Sequence, residues 1–199
     1  MLKENLLLMR EARTSLSGNW GKAAIITLVY ILISGCTGIL DLPLLSGLVT
    51  LAIAGPLSLG YSKVALNILR GEEFGIEQLF DGFRDFIRAF VAGLLISLFV
   101  FLFMLLLIVP GVIVALSFSM TFFILLEDDS IDAWEAMKRS KEMMQGHKLK
   151  LFYLFLRYIG WILLGILTLG IGLLWVMPYV QVAHANFYMD LKESRNKSQ

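Results

Sequence analysis

Residues 140–191 read SKEMMQGHKLKLFYLFLRYIGWILLGILTLGIGLLWVMPYVQVAHANFYMDL. A charged segment with an apolar side comes first, then a break at Gly146-His147-Lys148, then two apolar runs joined only by Leu169-Gly170. Each run is close to the ~20 residues an α-helix needs to cross a hydrocarbon core. The stretch is therefore read as an amphipathic helix followed by a helical hairpin. Working outward, the same order recurs twice earlier in the chain.

The whole chain has 199 residues, 58% of them hydrophobic and 17% charged, with a mean hydropathy of +0.77. Soluble domains are nearer half apolar and a quarter charged, and here the excess is gathered into runs of nearly membrane-spanning length. The fold class expected is all-α: a polytopic transmembrane bundle in one integral membrane domain. A net charge of +1 gives no case for nucleic acid as a partner. The single cysteine, Cys36, excludes a disulfide framework and a thiolate metal site. Met1 to Trp20 carries Lys3, Glu4, Arg10, Glu11 and Arg13 without a sustained apolar core, so it does not read as a cleavable signal.

The first unit, about residues 1–70, opens on an amphipathic helix ending near Ser17, with Leu2, Leu6, Met9 and Leu16 as its apolar stripe. Trp20 and Lys22 suit the headgroup layer. Span one is Ala23 to Leu40. Asp41-Leu42-Pro43 is its turn, and span two runs from Leu44 to about Leu69.

In the second unit, about 71–128, Arg70 to Arg88 is expected to lie in the interface as a helix. Ile76, Leu79, Phe80, Phe83, Phe86, Ile87 and Phe90 form its apolar stripe. Ala89 to Leu126 is then divided into spans three and four at Pro110-Gly111.

The third unit, about 129–192, starts a helix on an Asp132/Glu135 capping box, with Ile131, Trp134, Met137 and Met144 on its apolar side. Spans five and six are Leu149 to Thr168 and Gly170 to Leu191, with a short tail at 193–199.

The 17 Lys and Arg all lie in the N-terminal segment, the two long connections, the tail, or a span near one of those ends. The turns around Asp41, Pro110 and Leu169 have none, which places both termini in the cytoplasm and the turns outside. Gly18, Gly82 and Gly146 are equally spaced along the chain, each just before a hairpin that carries one proline: Pro56, Pro110 or Pro178. These features predict a threefold internal repeat, with three interface helices around three hairpins.

Arg157 lies about 12 Å up span five from Leu149. An ionisable group at that depth points to function, or to snorkelling toward headgroups and lipid phosphate. Asp190 is its nearest expected counter-charge, and Lys63 also lies within snorkelling reach. Tyr179, Gln181, His184, Asn186 and Tyr188 make the inner half of span six polar. Tyr61, Ser58, Ser62, Lys63 and Asn67 do the same for span two, and Ser117, Ser119 and Thr121 for span four. Such groups either line a cavity open to the cytoplasm or join helices by hydrogen bonds, helped by close pairs such as Ser34/Gly38, Ala54/Ser58 and Ala115/Ser119. His147 and His184 lack further ligands at metal spacing, and no nucleophile, phosphate-loop or zinc motif occurs. Neither catalysis nor a cofactor is expected.

The pieces Ser140-x-x-Met143-Met144-x-Gly146-x-Lys148, Ile159-Gly160-Trp161, Leu167-Thr168-x-Gly170-Ile171-Gly172, Trp175, Pro178-Tyr179 and Phe187-Tyr188 form one combined motif. With Ala12-Arg13-x-x-Leu16-x-Gly18-x-Trp20 and Leu79-Phe80-x-Gly82-Phe83, they resemble the uncharacterised bacterial membrane family called domain of unknown function 975. The resemblance covers nearly the whole chain. It implies a six-helix protein of the cytoplasmic membrane of Gram-positive bacteria, without an established activity. Arg157 departs from the small polar residue expected before Ile-Gly-Trp, and Leu126-Glu127-Asp128-Asp129 departs from the expected Leu-Pro-Asp. A more distant likeness is to the membrane-anchoring part of some glycerophosphodiester phosphodiesterases.

Three functions compete. The first is a non-enzymatic organiser of lipid or a partner protein at the cytoplasmic face, with membrane lipid and a protein partner or second copy as partners. The second is a small transporter or export component with a cytoplasm-facing polar cavity. The third is a lipid-directed enzyme using His184 or Arg157.

Overall fold

A computed structural model of the chain describes residues 2–36 and 43–196. The expected turn at Asp41-Leu42, the end of span one with Gly38, and the last residues of the tail lie outside them. So do the side chains of Cys36, Leu44 and their immediate neighbours at the start of span two.

The described residues are helical, without strands. The elements are α1 (Asn5–Ser15), α2 (Trp20–Cys36), α3 (Pro43–Arg70), a 3-10 helix (Ile76–Phe83), α4 (Phe86–Leu106), α5 (Ile108–Ser117), α6 (Thr121–Glu127), α7 (Ala133–Met143), α8 (Lys148–Leu167) and α9 (Leu173–Asn196). Among the described residues, four stretches are long and apolar enough to cross a membrane: Val49–Arg70, Phe86–Leu106, Ile108–Glu127 and Lys148–Leu167. A fifth is added if Asn5–Ser15 and Trp20–Gly35, bent by 99° at their joint, count as one. The chain divides into two compact units.

The first unit comprises Met1–Val29, Val64–Gly75 and Leu149–Gln199. Here α1 runs antiparallel along the second half of α9. The Lys3 backbone N–H donates to Asp190 at 2.9 Å, and beyond the other end of α1 the ring of Trp20 meets that of Tyr179 with centroids 6.1 Å apart. The stripe α1 buries is Leu8, Ala12 and Leu16, all at 0% exposure. Leu6, expected in that stripe, is 59% exposed. Spacing by four brings Leu8, Ala12 and Leu16 onto one line of the helix, and that line faces α9. Helices α8 and α9 are joined where expected, through Leu169 (φ 55°) and Gly170 (φ 84°).

The second unit comprises Tyr30–Lys63 and Ile76–Lys148. Its helices approach at glycines. A Cβ on Gly82 would stand 2.0 Å from the Pro56 carbonyl oxygen, and one on Gly60 would stand 2.0 Å from that of Leu79. Gly93 meets Gly55 so closely that a Cβ there would lie 2.8 Å from the Gly55 Cα. These glycines take the part expected of Ala54 and Ser58, and Ala54 is exposed.

This contact also explains why Arg70 to Arg88 is not the single helix its apolar spacing predicts. Arg70 ends α3, Arg88 already lies in α4, and only Ile76–Phe83 is helical between them, with 3-10 geometry. Gly82 and Leu79 press their backbones onto α3, and the segment buries Leu79 while Ile76, Phe80, Phe86 and Ile87 remain exposed. Phe80, Phe83, Phe86 and Phe90 form a ladder with ring centroids 6.2, 6.5 and 5.7 Å apart.

The α4–α5 turn also differs from expectation. It is the single extended residue Leu107 (φ −163°, ψ 147°), ahead of Pro110. Pro110 falls in the first turn of α5, where its missing N–H has no helical partner to lose. Gly111 lets that turn close on α4, where a Cβ would stand 2.9 Å from Met104. The apolar stretch Ile108–Glu127 is itself interrupted between α5 and α6, at residues 118–120. At the start of α7 the expected cap is present: the Asp132 carboxylate accepts the Glu135 N–H at 2.7 Å.

The turns after α1 and after α7 share one backbone pattern. Leu16, Ser17 and Asn19 donate to the carbonyls of Ala12, Thr14 and Leu16, while Met144, Gln145 and His147 donate to Ser140, Glu142 and Met144. The two sets correspond position for position, and the left-handed glycines Gly18 (φ 82°) and Gly146 (φ 76°) hold the same place in each. Gly82 does not share that conformation; close approach to Pro56 is what requires a glycine there.

Candidate functional site

The polar half of α9 is met by α1. Asn186, 3% exposed, donates through Nδ2 to the Leu8 carbonyl at 3.2 Å and to Glu11 at 2.8 Å. Glu11 in turn takes the Lys3 ammonium at 3.0 Å. Asp190, also buried, is held by the Lys3 backbone N–H and by Lys150 Nζ at 3.4 Å. Asp190 is therefore not the partner of Arg157, because Lys150, in the first turn of α8, reaches it first.

Arg157 lies on the exposed side of α8 with Leu156, Ile159 and Trp161, and among the described residues no carboxylate stands within ion-pair distance of it. Tyr179 is half-buried between Trp20 and Tyr158, whose ring lies 5.0 Å away edge-on. His184 meets the Phe155 ring at 5.5 Å. Gln181 is half-buried one turn from Ala185.

Tyr61 and Lys63 belong to the other unit. Tyr61 stacks on Tyr30 at 4.6 Å, and Lys63 forms an ion pair with Asp81 at 2.6 Å. That pair fastens the 3-10 segment to α3 beside the Gly60 and Gly82 contacts.

Around the α5–α6 interruption, the hydroxyls of Ser117, Ser119 and Thr121 donate to the carbonyls of Ile113, Leu116 and Phe118 on the same stretch. Two residues that sequence reading missed complete this region. Ser140 of α7 reaches the interruption between α5 and α6: its Oγ donates to the Ser117 carbonyl at 2.8 Å and accepts the Met120 N–H at 3.1 Å. Arg88 donates to the carbonyls of Asp128 at 2.8 Å and Ile131 at 2.9 Å, clamping the loop from α6 to α7. Arg139 meets Asp128 at 2.9 Å from the other side. Hydrogen bonds from Ser130 and Arg139 hold the Asp128 carboxyl below its ordinary range. The local hint of either residue was only its charge or hydroxyl on an otherwise apolar-facing position.

Each unit also holds a cleft. One, of about 330 Å³, is walled by Trp20, Trp161, Trp175 and Tyr179 with Arg13 at its edge. The other, of about 360 Å³, lies between α7 and the α4–α5 hairpin, lined by Phe99, Phe103, Phe118 and Met137 together with the exposed Lys138 and Lys141. Among the described residues no group of three or more His, Cys, Asp or Glu side chains could hold a metal ion.

No curated protein and no solved structure matches the chain. The profile of the family described as "Protein of unknown function (DUF975)" matches residues 1–118 and again 102–195. Those two matches run across the helices just described almost from end to end, and the chain belongs to that family.

Proposed function

We propose that this chain is a multi-pass protein of a bacterial cytoplasmic membrane that organises lipid at the cytoplasmic face without catalysis. The observation that carries the reading is how its polar groups are spent. Asn186 is consumed by α1 and Ser140 by the α5–α6 interruption, which is what interhelical joining requires and a solute cavity does not. Exposed apolar side chains on α4, α5 and α8, such as Leu98, Phe101, Leu105, Ile108, Leu163 and Leu167, offer the bilayer a wide surface.

In this reading α2 and α9 also cross, giving six spans, with both termini and all basic connections in the cytoplasm. The unit is repeated. Besides the shared turns, Lys22 and Tyr30 recur as Lys150 and Tyr158, at the same interval that separates Gly18 from Gly146. Each polar segment packs on a neighbouring long helix or hairpin: α1 on α9, the 3-10 helix on α3, and α7 on α4–α5. The partners are membrane lipid and either a second copy of the chain or another membrane protein.

The test is purification from membranes with crosslinking and lipid analysis. An enriched lipid class supports the reading; recovery of the protein alone, with lipid of bulk composition, contradicts it.

One observation favours transport instead. The interruption at residues 118–120 makes span four discontinuous, as in many transporters. Solute flux in proteoliposomes that is abolished by Ser140→Val would establish that alternative.

A further inference from the structure

Resting on the lipid-organising reading, we propose that the cleft between α7 and the α4–α5 hairpin is a binding site for one anionic glycerophospholipid of the surrounding bilayer. An acyl chain lies in the apolar slot, and the phosphate sits at its mouth between Lys138 and Lys141.

The interior of the slot is apolar. Phe99 stands 5.9 Å from Phe118 and 6.2 Å from Trp134, ring to ring, and Phe103, Val114 and Met137 complete the walls. The volume, about 360 Å³, is that of an ordinary ligand pocket. At the mouth the chemistry changes sign. Lys141 has no carboxylate within ion-pair distance among the described residues, and Lys138 has only Glu135 at 3.9 Å. Lys63, Arg84, Arg88 and Arg139 of the same unit each sit at a carboxylate. Two cations one turn apart, with long apolar stems over an aromatic slot, complement a molecule with an apolar tail and a negative head. A zwitterionic lipid leaves one of its charges mismatched there, and free phosphate leaves the slot unfilled. Trp134, 47% exposed, also lines the cleft and adds an amphipathic ring to it.

The second cleft repeats the device. Arg13 precedes Gly18 by the same step as Lys141 precedes Gly146, on α1 as Lys141 is on α7. It too borders an aromatic slot, here of about 330 Å³. Two amphipathic helices thus present a cation at the same position over an aromatic wall. That recurrence supports ligand binding over accident.

The probe is a set of vesicles with equal phosphatidylglycerol and phosphatidylcholine. Full-length protein is extracted from them gently, and the lipids it retains are counted by native mass spectrometry. Wild type is expected to hold phosphatidylglycerol over phosphatidylcholine by about thirtyfold, the scale of two interfacial lysines. K138Q/K141Q loses one phosphatidylglycerol per chain, K138R/K141R keeps it, and Val114→Phe, which narrows the slot without touching charge, loses it too. Inorganic phosphate does not displace it. Retention unchanged in both K138Q/K141Q and Val114→Phe overturns the site while leaving the lipid-organising reading standing, and displacement by inorganic phosphate overturns the lipid as occupant. A wild type without lipid preference overturns both.

Discussion

Ser140 on α7 caps the broken end of a different helix, accepting the N–H of Met120 at 3.1 Å while donating to Ser117 at 2.8 Å. Met120 stands where α6 begins without a side-chain cap of its own, and one serine from α7 serves both orphaned backbone groups. Ser140 is fully buried, so water does not substitute for it. Ser140→Ala is expected to lower stability by about 1–3 kcal/mol, the cost of a buried polar group left unmade. Thermal denaturation in detergent, followed by circular dichroism, checks it. A melting temperature equal to wild type would mean that the interruption is satisfied by something else.

The glycine contacts give a sharper contrast. Gly82→Ala and Gly60→Ala each drive a methyl into a backbone carbonyl 2.0 Å away, and a carbonyl on a packed helix cannot swing aside as a side chain can. Each is expected to cost about 1–3 kcal/mol or more. Gly160→Ala in α8, with nothing within 4 Å of the added carbon, is expected to be neutral or to stabilise by up to about 1 kcal/mol. The same melting experiment separates the two groups.

Asn186 and Glu11 join the polar half of α9 to α1 at 2.8 Å. A double-mutant cycle of Asn186→Ala and Glu11→Ala should return a coupling of about 1–2 kcal/mol, because a charged acceptor makes a stronger bond than a neutral one. Additive single effects would show that the Asn186–Glu11 bond does not help to hold α1 on α9.

The loop between α6 and α7 should respond to acid. Hydrogen bonds lower the Asp128 carboxyl in the folded chain, so its contribution is fully present above the unfolded value, about 3.9, and is lost as pH falls through the folded value. Protection of the amides from 128 to 140 against hydrogen exchange, corrected for intrinsic rates, should fall in acid below about pH 4. Asp128→Asn should remove that dependence. Protection that declines on the alkaline side of neutrality would point to a different group.

Much of this architecture was legible in the chain itself because it depends on local signals. Asp132 and Glu135 announce the start of α7, Leu169-Gly170 the turn of the hairpin that follows it, and Gly18 and Gly146 the ends of α1 and α7. The misreadings share a physical cause. Apolar spacing from Ile76 to Phe90 looks helical, but Gly82 is pressed against Pro56 in the middle of the preceding helix, and that distant contact imposes a tighter backbone. Pro110 reads as a break when it is a tolerated first-turn residue. Ser140 and Arg88 serve distant backbone groups, at Met120 and Ile131 on other elements, and no periodicity marks such a pairing. Of the residues singled out as lining a cavity, Asn186, Lys63 and Tyr61 turned out to join elements, while Arg157 kept an exposed position on α8.

Solvent access to those joints tests whether the polar halves are packed shut. In a Cys36→Ser background, Asn186→Cys and Ser140→Cys are challenged with a membrane-impermeant thiol reagent in inside-out vesicles, with Lys141→Cys as the exposed control. Closed joints predict that neither thiol reacts until the protein is unfolded, while Lys141→Cys is modified at once. Modification of Asn186→Cys or Ser140→Cys at the rate of the control would reveal a cytoplasm-facing cavity, and the protein would have to be read as a conduit.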